Sequence, residues 1–275
     1  MALRSILGLL ITLSLGAPAL ANTSTVKKEA KTPASPWSGF VNVSRSTSLY
    51  DFQDGTRRDG LDYMGRVSYR ISEKYSTRAQ IGYSQDLVDY ENDDFSNLSF
   101  NFSRTPVSVG KYLKGGYLLG LGLPTSRDAN KFQSLQASLS AGITGAINSD
   151  LLIEGFSISG SAVFVRNFHQ YATRADGPVN TEYAANQSLS FAYNFTSGVY
   201  ISASFAYVSV FSYQNVMRNS FEISQDIGYQ VHDHLSLSVG HTNGGSALKA
   251  NGTDSNIQIL NENDSIVYAS ATVLF

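Results

Sequence analysis

His241 stands in the run Gly240-His241-Thr242-Asn243-Gly244, a histidine set among small and polar residues. An imidazole can take the proton of a serine hydroxyl and so turn it into a nucleophile toward an ester. Ser255 and Ser265 follow in the chain and are the candidate hydroxyls. A second group of residues carries charge instead: Arg66, Arg70 and Arg78 on one side, Glu222 and Asp226 on the other. Residues an even number apart share one face of a strand, so each group can line a wall. Opposed basic and acidic strips across a passage create a transverse field that favours small polar or charged solutes. The plainer reading of the same charges is interior ion pairing that stiffens the wall.

These residues need strands to position them, and the chain supplies them. From Trp37 onward it divides into about twelve alternating segments: Trp37–Ser48, Gly60–Ile71, Tyr75–Leu87, Phe95–Ser103, Tyr112–Leu123, Phe132–Ile147, Leu151–Phe168, Glu182–Phe195, Val199–Tyr213, Arg218–Val231, Leu235–Gly244 and Glu262–Phe275. Tight turns at Ser72-Glu73-Lys74, Asn148-Ser149-Asp150, Thr196-Ser197-Gly198 and His232-Asp233-His234 alternate with mostly longer polar connections. Short turns on one side and long loops on the other are the signature of a transmembrane antiparallel up-and-down β-barrel. Pro106 and Gly115-Gly116 weaken the stretch between strands four and five, which reads as a longer connection, Arg104–Lys111.

Both ends agree with that class. The final residues alternate strictly, with Val267, Ala269, Ala271, Val273 and Phe275 on one face and Tyr268, Ser270 and Thr272 on the other. This C-terminus resembles the terminal strand of Gram-negative outer-membrane barrels, where a final Phe with apolar residues at alternate positions (here Phe275, Val273 and Ala271) is an assembly signal. The resemblance implies recognition by the barrel-assembly machinery and contact with outer-membrane lipids and lipopolysaccharide. At the other end a basic start, an apolar run from Ile6 to Leu15 and small residues at Ala19-Leu20-Ala21 form a secretory signal peptide, residues 1–21. Residues 22–36 read as a flexible periplasmic leader, and 37–275 as the barrel. An even strand count then puts both barrel termini in the periplasm.

Composition narrows the function. With no cysteine among 275 residues, the exported chain is closed by backbone hydrogen bonds instead of disulfides. Only 15% of residues are charged and the net charge is -2, without a basic run after the leader, which excludes nucleic acid as a partner. No cofactor motif is present, and His232-Asp233-His234 alone cannot complete a metal's coordination sphere. The acidic Asp89, Glu91, Asp93, Asp94, Asp254, Glu262 and Asp264 read as solvated loop carboxylates that could bridge lipopolysaccharide through divalent ions.

Twelve strands tilted near 40° enclose a backbone radius of roughly 12 Å. Parity directs small residues inward: Asn97, Ser99, Asn101, Gly155, Ser157, Ser159, Ser161, Ser202, Ser204, Ser236, Ser238 and Gly240. A water-filled passage for small hydrophilic solutes is the expectation, with Arg66, Arg70, Arg78, Glu222 and Asp226 setting ion preference.

Two alternatives stand beside it. The run at His241 resembles the His-x-Ser-Asn-Gly stretch of outer-membrane phospholipases and lipid A deacylases, which implies an outer-leaflet lipid hydrolase. Asn243 occupies the serine position, however, and an amide is no nucleophile; read structurally, the run is a strand entering an Asn-Gly-Gly turn. The other alternative is a non-conducting surface barrel whose long loops meet a partner.

Overall fold

The structure, a computed structural model, describes residues 35–49, 57–88, 92–261 and 264–275. The signal peptide and nearly all of the leader lie outside the described residues, as do Asp89, Glu91 and Glu262. The strands are β1 (Trp37–Ser48), β2 (Asp59–Arg70), β3 (Tyr75–Asp86), β4 (Asp94–Phe95), β5 (Leu98–Arg104), β6 (Val107–Val109) and β7 (Leu113–Leu123), followed by β8 (Leu135–Ile147), β9 (Phe156–His169), β10 (Thr181–Asn194), β11 (Val199–Ser212), β12 (Met217–His232), β13 (Leu235–Ser246) and β14 (Ile266–Leu274). Twelve of them form a closed antiparallel barrel, β4 and β6 being short additions to it. Closure is made where β1 meets β14, from Phe40 opposite Leu274 to Ser48 opposite Ile266. At the end of this seam Gly39 N–H donates to Phe275 O at 2.8 Å, and Phe275 N–H to Gly39 O at 3.1 Å. Closure removes the unpaired edges an open sheet would expose.

Side-chain parity explains why this sequence closes outward-apolar. Val41, Val67, Ile81, Leu119, Leu139, Ile143, Leu189, Ile201, Ile227, Leu237, Val239 and Val273 are all exposed, and all point away from the axis. So continuous an apolar exterior is a surface built for hydrocarbon, not water. Aromatic pairs flank it at both ends: Trp37 with Tyr69, Tyr75 with Phe102 and Tyr193 with Phe195 toward the short turns, Tyr83 with Phe95 and Phe164 with Tyr183 toward the long loops. On the inner face hydroxyls pair across neighbouring strands, Ser161 with Ser188 at 2.7 Å, Ser204 with Ser224 at 2.6 Å and Ser238 with Ser270 at 2.7 Å.

Several boundaries differ from the sequence reading. The sixth strand begins at Leu135 because 128–132 close into a π turn, Asp128–Phe132. The seventh begins at Phe156, after a 3-10 turn, Ser149–Leu151, so the connection following β8 is not a three-residue turn. Gly155 therefore lies in that connection with φ +86°, and not in the lumen wall. The last strand begins at Ile266. Within Arg104–Lys111, β6 folds back on the base of β7 by a turn through Gly110, φ +73°. Gly116 is required there: a Cβ would lie 2.8 Å from Arg104 O.

Two lumenal tyrosines lie flat on glycines of the adjacent strand. Tyr200 covers Gly228 and Tyr268 covers Gly240, where an added Cβ would stand 2.2 Å and 2.4 Å from the respective rings. The aromatic ring fills what the missing side chain leaves open. Gly240→Ala is therefore expected to cost roughly 1–3 kcal/mol through overpacking. Gly65→Ala, where nothing lies within 4 Å, should be neutral or stabilising. Urea midpoints of the refolded barrel compare the two directly, and equal midpoints would refute the role given to Tyr268.

Candidate functional site: the lumen and its mouth

Strand pairing places Arg66, Arg70 and Arg78 on one inward face, since Arg66 is opposite Gln80, Ser68 opposite Arg78, and Arg70 opposite Ser76. Arg66 donates from Nε and Nη2 to Gln80 Oε1 at 2.8 and 2.5 Å, and its guanidinium lies 4.9 Å from the centre of the Phe40 ring. These contacts fix the group without neutralising it. Arg70 is exposed at the end of β2. Glu222 and Asp226 face the same interior from β12, and Ser202 Oγ donates to Asp226 Oδ2. The acidic strip is separated from β2 by three strands, β13, β14 and β1. Among the described residues, neither Arg66 nor Arg78 forms an ion pair with Glu222, Asp226 or any other carboxylate. Asp62, missed in the sequence although it shares the parity of Arg66, adds an acid to β2 and accepts from Ser84 Oγ at 2.6 Å.

One sector of the lumen is not the expected small polar surface. Leu118, Val163, Val165, Ala184 and Val208 are buried on the inward faces of β7 and β9 to β11, with Val210 packed against them. The segment Ala162-Val163-Phe164-Val165 is apolar on both faces, so alternation carries no sign of which side is wet.

The mouth at the long-loop end is tied by a guanidinium. Arg174, in the connection 170–180, donates to Asp128 of the π turn (Nη2 to Oδ1, 2.7 Å) and to Asp176 (Nε to Oδ1, 2.8 Å). Backbone bonds join the same two segments, Ala175 N–H to Phe132 O at 2.7 Å and Gln170 N–H to Ser134 O at 2.9 Å. Burial disfavours the Arg174 charge, yet hydrogen bonds to Asp176 and Asp128 outweigh it and hold the group above its ordinary value. The Arg174 hydrogen bond in turn depresses Asp176 below the usual carboxylate range. A depressed carboxylate stabilises the folded loop above its unfolded pKa, near 4. That contribution disappears as pH falls through the lowered folded value. A nitroxide on Ala175→Cys should thus stay immobile at neutral pH and gain mobility only below about pH 4. Arg174→Gln should free it at neutral pH, and a label indifferent to both changes would exclude the tie.

Two of the loop carboxylates that could hold a divalent ion are occupied by hydrogen bonds within the chain. Asp93 accepts from Asp86 N–H at 2.8 Å and Tyr83 Oη at 3.1 Å, and Asp94 accepts from Arg127 N–H at 2.7 Å. Among the described residues no group of three potential metal ligands converges.

His241 is on the outside, opposite Gln225 and Val267 and on the same face as the exposed Leu237 and Val239. Its Nε2 is buried without a hydrogen-bond partner. Neither candidate hydroxyl is directed at it: Ser265 Oγ accepts from Asn261 N–H at 2.9 Å and Ser255 Oγ from Ile257 N–H at 3.3 Å. Asn243 Nδ2 donates to Gln258 O at 2.7 Å, so the loop segment at Gln258 lies against the outer face of β13. In this geometry the run forms no nucleophile–base pair. Gly240 serves Tyr268 inside the barrel, and Asn243 serves the loop outside it.

No family model and no curated protein matches the sequence. Solved structures do match its backbone. An outer-membrane channel from Pseudomonas putida F1 superposes with a TM-score of 0.59 at 9% identity, over 91% of this chain and 100% of that one. The KdgM porin in complex with disordered oligogalacturonate gives 0.52 at 8% identity, over 86% and 99%. The NanC porin gives 0.52 at 9% identity, again over 86% and 99%. Identities this low speak of architecture alone: the chain has the twelve-stranded barrel fold of outer-membrane channels.

Proposed function

We propose that this protein is an outer-membrane channel for passive diffusion of small hydrophilic solutes, with ion preference set by Arg66, Arg70, Arg78, Glu222 and Asp226. The observation that carries the reading is the lack of pairing between inward arginines and inward carboxylates among the described residues. Charges that served only to brace the wall would be placed to neutralise one another; charges left apart act on whatever passes. In this reading both barrel termini are periplasmic, since Trp37 and Phe275 lie at the end bearing most of the short turns. Phe275, Val273 and Ala271 present the signal for the barrel-assembly machinery, and the apolar belt and long loops contact lipid and lipopolysaccharide. The KdgM porin is described in complex with disordered oligogalacturonate; here three inward arginines are suited to attracting acidic solutes. Planar-bilayer recording of the refolded barrel tests this. Conductance whose ion selectivity follows the arginines supports it, and a silent bilayer overturns it.

A further inference from the structure

The apolar sector of the lumen is organised in rows. Directly opposed residues across β7 to β11 give Leu118, Gly142, Val163, Asn186 and Val208. The neighbouring row across β9 to β12 gives Val165, Ala184, Val210 and Arg218. Asn186 is thus an amide set between two valines, 9% exposed, and neither its Nδ2 nor its Oδ1 has a partner. A buried amide with both groups unmet is disfavoured unless something arrives to meet it. Arg218, at the far end of the second row, is exposed and forms no ion pair among the described residues.

We propose that this sector is a binding subsite for small aryl carboxylates that carry a second polar group opposite the acid. The proposal rests on the channel reading and supplies its solute class. Arg218 takes the carboxylate by charge-assisted hydrogen bonds. The ring lies on Val210, the partly buried member of the cluster, at the edge of the buried Ala184 and Val208, and Asn186 meets the distal hydroxyl with its donor and acceptor. The span fits: β10 and β12 are two strand spacings apart, roughly 10 Å, a distance a flat ring with polar groups at both ends can bridge between an arginine and an amide. A sugar, hydroxylated on every edge, would leave its hydroxyls unmet against the valines. A short aliphatic acid would fill the Arg218 end and leave Asn186 unpartnered.

The experiment uses the full refolded barrel in planar bilayers and reads the half-blocking concentrations of para-hydroxybenzoate, benzoate and acetate. The expected order of potency is para-hydroxybenzoate, then benzoate, then acetate. Asn186→Ala should erase the difference between the first two, a loss of about five- to tenfold, and leave benzoate ahead of acetate. Arg218→Gln should weaken all three acids together. Asn186→Leu, near in volume and free of unmet polar atoms, should raise the urea midpoint while losing the same discrimination, so misfolding cannot imitate the result. Equal potency of the three acids, or an unchanged ratio in both Asn186 variants, overturns the subsite. A wild-type barrel that conducts nothing overturns the channel reading instead. Calorimetric titration of that barrel with para-hydroxybenzoate then decides the subsite by itself, binding supporting it and no heat refuting it.

Discussion

Replacing Arg66 and Arg78 together by glutamine shifts the permeability ratio toward cations by several-fold, approaching about tenfold at low salt. A unit charge acting on an ion about 6 Å away in an aqueous lumen contributes roughly 0.7 kcal/mol, a factor near three, and two such charges multiply. Neither guanidinium is neutralised by a carboxylate among the described residues, so both act in full on a passing ion. Salt shortens the reach of these charges, and the shift should shrink as ionic strength approaches 1 M. Reversal potentials in a salt gradient measure it. Arg45→Gln is the control, because Arg45 lies on the exterior and pairs with Asp59 at 3.1 Å. If the double variant and the control have the same reversal potential, Arg66 and Arg78 do not border the conducting path.

The second large effect concerns closure. A Cβ at Gly39 would stand 2.4 Å from Arg66 O and 2.6 Å from the Phe275 ring, where β1 must meet both β2 and the end of β14. Gly39→Val is expected to lose about 3 kcal/mol or more, at the upper end of overpacking costs because one clash is with backbone that cannot yield. Most of the chain should then fail to reach the compact, heat-modifiable form on gels after refolding into vesicles. Phe275→Ala alone should cost less, since the ring is largely exposed and the seam hydrogen bonds are made by backbone. Combining the two should restore part of the folded fraction by removing the ring clash while leaving the one with Arg66 O. Full folding of Gly39→Val would show that the seam is looser than its geometry indicates.

Much of this architecture was legible in the chain. Alternation such as Ala137 to Ile143 against Ser138 and Ser140, repeated between turn signals, yielded twelve strands and the inward face of Arg66, Arg78, Glu222 and Asp226, although a register shift at Leu135 buries that leucine and exposes Gln136. The physical basis is that a strand between lipid and water must alternate, since the two sides impose opposite polarity at every second residue. Asp62 was legible by the same rule and was overlooked.

Other features had no local trace. The tie from Arg174 to Asp128 joins residues 46 apart, and nothing near either one announces its partner. Asn186 has the same inward parity as Ser188 on β10, and nothing beside it in the chain sets it apart. Its isolation arises because Val163 and Val208 fall directly opposite it on the neighbouring strands, a matter of register between segments.

The amino-acid order alone determined which side of most strands is apolar, β9 with its two apolar faces excepted, because that demand is made residue by residue along the backbone. Tertiary structure decided which inward groups neighbour one another, which charges remain apart and where apolar side chains gather inside the wall. Those outcomes depend on strand order and register around a closed ring, where side chains distant in sequence become adjacent.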